Sequence, residues 1–158
     1  MEIHPDQAYL RMALAQAYQA LEEGETPVGA VAVCEDRILA RDHNRVEALV
    51  DATAHAEILV LGAAATARKD WRLEDVTLYV TMEPCPMCAG AILLARVGRL
   101  VYGTRDLRAG ACGSRMDLLQ ANPFGHDIQV TDGCLEEECR APLQEFYGRL
   151  RSRDRAPG

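Results

Sequence analysis

Four side chains in two short segments could do chemistry together. They are the imidazole of His55, the carboxylate of Glu57 and, thirty residues further on, the thiols of Cys85 and Cys88. One imidazole and two thiolates suit a zinc ion, and three protein ligands leave its fourth position open to water. Coordination lowers the pKa of such a water from about 16 to about 7, making zinc-bound hydroxide available at neutral pH. Glu57 lies two residues from the imidazole and is not needed as a ligand, so it can move protons for that water. The expected chemistry is hydrolytic, with His55, Cys85 and Cys88 as metal ligands and Glu57 as the catalytic proton shuttle.

Neither half of the pattern says much alone. His-x-Glu is common, and Cys-x-x-Cys also occurs as a redox pair or as half of a zinc knuckle. The joint pattern, with Pro84 before the first cysteine and a helix start at each end, is far more specific. Its bland alternative is a closed structural zinc, for which His43 or Cys112 would be the fourth ligand. His4 and His126 read as surface histidines. Cys34, Cys112, Cys134 and Cys139 form no second ligand spacing and read as small buried residues or inert thiols.

The elements that must position these groups follow from periodicity. Leu10, Leu14, Ala17, Tyr18 and Leu21 recur at helical spacing, predicting a helix from Asp6, as its cap, to Glu23, ended by Gly24. Val28–Val33 and Arg37–Ala40 flank the polar pair Glu35-Asp36 and predict a β-hairpin. His43 to Asp51 is polar and irregular. A second helix is expected from Thr53, its cap, to about Arg68, and Val76–Thr81 reads as a central strand. Cys85 and Cys88 fall on the first turn of a helix from Pro86 to about Arg96, where proline is tolerated and the helix dipole favours thiolates. Arg99–Gly103 is a fourth strand. Ser114-x-x-Asp117 predicts the start of a short helix, Ile128–Val130 a fifth strand, and Leu135–Leu150 a last helix with Leu143, Phe146, Tyr147 and Leu150 on its apolar face. Residues 151–158 read as a frayed tail. The sum is one α/β domain over residues 1–158, with about five strands and five helices.

Composition bounds the partners. The chain has 158 residues, 49% of them hydrophobic, enough for one real core. No apolar run approaches the roughly 18 residues of a membrane span, and the first residues show no export signal. A cytoplasmic protein without disulfides and without a membrane partner is expected. A net charge of −7 argues against a generic nucleic-acid binder. The charge is uneven, however: residues 96–115 hold five Arg against one Asp, and the last thirteen residues four Arg against one Asp. A local basic surface on an acidic body is possible.

Longer segments carry a resemblance. They are Pro27-Val28-Gly29-Ala30-Val31, Thr53-Ala54-His55-Ala56-Glu57-Ile58, and Leu78 to Ile92 around Glu83-Pro84-Cys85-Pro86-Met87-Cys88. Tyr102-Gly103-Thr104-Arg105-Asp106, Gly110-Ala111-Cys112-Gly113-Ser114 and Met116-Asp117-Leu118-Leu119 narrow it further. From the first helix to about Leu150 the chain resembles the bacterial tRNA-specific adenosine deaminases, the TadA family, within the cytidine-deaminase-like superfamily. The resemblance implies a three-layer α/β/α sandwich around a five-stranded mixed sheet, and a homodimer with one Zn2+ per subunit. It implies hydrolytic deamination of the wobble adenosine (position 34) of a tRNA anticodon stem-loop to inosine, releasing ammonia, most often in the arginine tRNA with anticodon ACG.

By the same resemblance His55, Cys85 and Cys88 hold zinc and Glu57 shuttles protons. Asn44 hydrogen-bonds the target nucleotide, Val28 lies against the adenine, and Asp106 sits near the RNA backbone beside the flipped base. Phe146 and Tyr147 lie near the anticodon loop. Splayed RNA loops are read by shape, stacking and base edges, so few net positive charges suffice. From the residues alone, Asn44 is a turn residue, Val28 a strand apolar, Asp106 a loop acid, and one of the two aromatics core packing. Two departures stand out: Ala52 replaces a usual proline, and Arg108 stands where lysine is common but keeps the charge. The alternatives are a deaminase of free guanine, cytosine or a nucleoside such as cytidine, since Pro86 also occurs in such relatives, and a catalytically silent zinc module.

Overall fold

The alternation of side chains along four short strands sets the architecture. In the computed structural model, which describes residues 2–155, the elements run α1 (Pro5–Glu22), β1 (Gly29–Cys34), β2 (Arg37–His43), α2 (Val46–Leu49), α3 (Ala56–Arg68), β3 (Thr77–Met82), α4 (Pro86–Leu94), β4 (Arg99–Thr104), β5 (Gln129–Thr131) and α5 (Glu136–Asp154). The strands form one sheet in the order β2-β1-β3-β4-β5. β1 pairs antiparallel with both β2 and β3, whereas β3–β4 and β4–β5 are parallel, so the sheet is mixed as expected.

With a side-chain period of two, each central strand feeds two layers. Ala30, Ala32, Leu78, Val80, Leu100 and Tyr102 face α3 and α4, packing with Val60, Leu61 and Ile92. Val31, Val33, Tyr79 and Val101 face α1 and α5, packing with Leu10, Ala13 and Cys139. The result is a three-layer α/β/α sandwich. Close approach fixes the second layer: a Cβ on Gly103 of β4 would stand 2.4 Å from the Cys139 sulfur on α5. A buried polar bond ties α1 to the sheet. Asp6 accepts from the Tyr79 hydroxyl at 2.9 Å and takes both guanidinium nitrogens of Arg99 at 2.8 and 2.7 Å.

Several boundaries differ from expectation for identifiable reasons. Asp6 does not cap α1: the ring of His4 accepts its N–H instead, and the Asp6 carboxylate is spent on Arg99 and Tyr79. Thr53 does not cap α3 either. Its hydroxyl donates to Asp51, and His55 takes the cap position. The irregular stretch after His43 contains the one-turn helix α2, because both oxygens of the buried Glu25 carboxylate accept the N–H groups of Glu47 and Ala48. No helix follows Ser114. Residues 113–122 are turns with a single bridge between Cys112 and Asp117, since the Ser114 hydroxyl is drawn to Glu83. The last helix continues to Asp154, so Arg151–Asp154 is helical; residues 156–158 lie outside the described part. The Glu35-Asp36 turn is as expected, with both residues at positive φ (50° and 60°), as a two-residue hairpin of the primed type requires.

Candidate active site

Both halves of the His-x-Glu and Cys-x-x-Cys pattern arrive as helix caps. His55 caps α3 and Cys85 caps α4, each with extended backbone (ψ 152° and 174°) and neither using its side chain to close the helix. Their side chains are therefore free to point into a common site. Thr53 O accepts from His55 N–H at 2.7 Å, and Cys85 O accepts from Ala89 N–H at 2.8 Å, which fixes the two turns. Cys88, one turn into α4, is fully buried below Cys85.

The ligand atoms converge. His55 Nδ1 lies 3.6 Å from Cys85 Sγ and 3.5 Å from Cys88 Sγ. Zn–N and Zn–S bonds of about 2.1 and 2.3 Å at tetrahedral angles give N···S edges of about 3.6 Å, so the donor set fits a zinc ion. The cluster is His55, Cys85 and Cys88, and contains neither His43 nor Cys112. His43 is buried elsewhere, with Nδ1 2.9 Å from Asn44 O and Nε2 3.3 Å from Glu23. Among the described residues, three groups that could ligate a metal rather than four are thus brought together, the arrangement that leaves a position open. Of the two remaining histidines, His4 is exposed at the start of α1, whereas His126 is half-buried beside Asn122.

The local electrostatics suit such a centre. The Cys85 thiol is brought down to about 4 by a hydrogen bond from Cys88, aided by His55. Cys88 is pushed far up by that same bond and by burial. His55 is raised by its bond to the Cys85 sulfur. The two thiols share one hydrogen bond that favours a charged sulfur at Cys85. Glu57, on the first turn of α3 and 4% exposed, is raised above the ordinary carboxylate value by burial.

A cavity of about 300 Å³ opens above this cluster. His55, Glu57 and Cys85 line its floor, and Val28, Asn44, Asp106, Phe146 and Tyr147 its walls. All five residues named from resemblance therefore share one cavity with His55, Glu57 and Cys85. Asn44 is 7% exposed, and its backbone N–H is held by Val28 O at 3.0 Å. Phe146 and Tyr147 are half-buried in an edge-to-face pair, centroids 5.4 Å apart, at the pocket rather than in either core layer. Asp106 is half-buried, and one of its oxygens closes its own loop by accepting from Arg108 and Ala109 N–H at 3.0 and 3.2 Å. The sequence reading missed two buried carboxylates that line the pocket, Glu25 and Glu83. Glu83 carried one signal: an acid closing an apolar strand, directly before Pro84-Cys85. Glu25 carried none beyond its place after a helix-ending glycine.

Comparison with known proteins agrees with this arrangement. The family model of MafB19-like deaminases matches residues 4–136. The chain is 47% identical over 151 residues to a tRNA-specific adenosine deaminase of Bacillus subtilis strain 168, covering 96% of this chain and 94% of that one. A solved structure from work on A-to-I editing by tRNA:A34 deaminases superposes with a TM-score of 0.80 at 41% identity, covering 86% of this chain and 99% of the other. A guanine deaminase from Nitrosomonas europaea superposes with a TM-score of 0.79 at 24% identity, over 94% and 87% of the two chains, a likeness of fold alone.

Proposed function

We propose, starting from a chain that belongs to the tRNA-specific adenosine deaminases, that it converts the wobble adenosine of a tRNA anticodon loop to inosine. The observation that carries this reading is the juxtaposition of buried Glu57 with the His55–Cys85–Cys88 group on the floor of a pocket walled by Asn44, Val28, Asp106 and two aromatic rings. Zinc, when held by those three residues, supplies Lewis acidity and a nucleophile available at neutral pH.

The residues of the chain do the rest. Val28 and the Phe146–Tyr147 pair offer apolar and aromatic surface against which a flipped base and its neighbour can stack. Asn44, held by its backbone, presents an amide to the target nucleotide. Glu57 takes a proton from the attacking water and passes it to ring N1 as oxygen bonds to C6. It then takes the remaining proton from that oxygen and delivers it to the departing amine as the C6–N bond breaks. Water and adenosine become inosine and ammonia, and Glu57 ends as it began. Burial raises the carboxyl's affinity for the proton it must carry.

The same reading makes the arginine tRNA with anticodon ACG the first substrate, the enzyme a one-domain homodimer with one zinc per subunit, and its compartment the cytoplasm. Among the described residues no helix is long and apolar enough to cross a membrane. The deciding experiment offers unmodified arginine tRNA, its anticodon stem-loop, free nucleosides, guanine and cytosine side by side, scoring inosine and ammonia. Inosine from the tRNA and the stem-loop is expected. Ammonia from guanine, cytosine or cytidine, with no inosine in the stem-loop, would replace this reading with the free-base alternative.

A further inference from the structure

We propose that Glu83 is the positioning residue of this site. Its buried carboxylate fixes the loop from Asp106 to Ser114 onto the turn that carries Cys85, and so sets where Asp106, Arg108 and Ala109 stand in the pocket. The inference rests on the reading of that pocket given above.

Glu83 follows β3 directly and precedes Pro84 and Cys85, and only 3% of it is exposed. Oε1 accepts the N–H of Asp106 at 3.2 Å and the hydroxyl of Ser114. Oε2 accepts the N–H groups of Cys112 at 3.0 Å and Ser114 at 3.1 Å. Two backbone bonds run alongside: Thr104 O accepts Glu83 N–H at 2.8 Å, and Pro84 O accepts Ala111 N–H at 2.9 Å. A buried carboxylate is costly unless its lone pairs are filled, and here four donors from three loop residues fill them. The loop is shaped to admit it. A Cβ on Gly110 would lie 2.4 Å from the Glu83 carboxylate, so only glycine lets the loop close over that group.

The arrangement reaches the substrate side through Asp106. Its N–H is held by Glu83, its carbonyl accepts Gly110 N–H at 2.9 Å, and its side chain closes the turn over Arg108 and Ala109. Glu83 thereby joins the strand end that delivers a metal ligand to the loop that lines the pocket wall. Glutamine could accept through one oxygen only and would turn an NH2 toward N–H donors. Aspartate would withdraw the carboxylate by a methylene.

The test compares the zinc-loaded wild type with Glu83→Gln and Ser114→Ala by three readouts. These are hydrogen exchange at the Asp106, Cys112 and Ser114 amides, zinc per chain, and kcat and KM on the anticodon stem-loop. Glu83→Gln is expected to speed exchange at those amides by about tenfold or more and to raise KM about tenfold, with kcat within about threefold and one zinc retained. Unchanged exchange and KM would overturn the proposal. So would loss of zinc, which would make Glu83 a support of the ligand turn instead. Should Glu83→Gln not fold, Ser114→Ala decides: about threefold faster exchange at Cys112 with a raised KM supports the role, and no change in either overturns it. If the wild type makes no inosine from the stem-loop, the functional reading fails while the exchange measurement still judges the loop anchor.

Discussion

On the floor of the pocket stand His55, Glu57 and Cys85, with Cys88 buried just beneath, all at the first turns of two helices and each a few residues from its partner in sequence. The walls are made differently. Asn44 and Asp106 lie on loops tied down by carboxylates from elsewhere in the chain: Glu25 holds α2, which directly follows Asn44, and Glu83 holds the Asp106 loop. Helix geometry alone orders the floor, so its precision comes with the secondary structure. The walls depend on single side chains reaching across 22 to 31 residues to bind backbone N–H groups. A damaged floor should therefore cost chemistry outright, and a damaged wall should cost recognition.

The sharpest challenge to that contrast is on the floor itself. His55→Ala is expected to drop zinc below about a tenth per chain and to abolish deamination, measured by metal analysis and inosine release. Retained zinc would mean that the cluster is not the metal site. Next in size is Glu57→Gln, expected to lower kcat about 10³-fold while zinc content stays at one per chain, since proton transfer is lost but the ligands remain. A fall in zinc would merge the shuttle with the ligands and blur the distinction. On the walls, Glu25→Gln should leave zinc and kcat nearly unchanged and raise KM for the stem-loop by roughly threefold to tenfold, because it loosens α2 and the loop bearing Asn44. A kcat loss as large as that of Glu57→Gln would erase the contrast.

A control away from both regions is Asp6→Asn, which weakens the bonds that the Asp6 carboxylate accepts from Arg99 and Tyr79 under α1. It should cost roughly 2–4 kcal/mol in urea unfolding at neutral pH, with activity per folded molecule unchanged. Asp6 is held below its ordinary 3.8 chiefly by its hydrogen bond with Arg99. A depressed carboxyl contributes stability that is fully present above its unfolded value and lost as pH falls through the folded one. The wild type should therefore lose stability more steeply than Asp6→Asn below about pH 4. Parallel acid curves would show that the ion pair contributes little.

The same contrast explains how much could be read without coordinates. The floor was legible because ligand spacing on helix starts is a local pattern, and the strands because period-two burial of Val31, Tyr79 and Val101 against Ala30, Leu78 and Leu100 is also local. The helices were found, but their ends were not. Capping by His4 and His55 was decided by which side chains the tertiary structure left free. The helix expected after Ser114 failed because a distant carboxylate competes for that hydroxyl. The walls were named through resemblance, and the residues holding them, Glu25 and Glu83, were given no role. Each acts on backbone groups that carry no mark in the sequence.

The packing of α5 on β4 bears on the width of the pocket mouth. Phe146 lies seven residues beyond Cys139, about 10 Å along α5, with Pro142 between them. The Cys139 sulfur rests where Gly103 has no side chain. Adding one methyl there would lever the helix outward from its near end and carry both rings with it, since close-packed interiors pass strain on rather than absorb it. The aperture through which an RNA loop would enter is thus set on the far side of the sheet layer, by a carbon atom that β4 lacks.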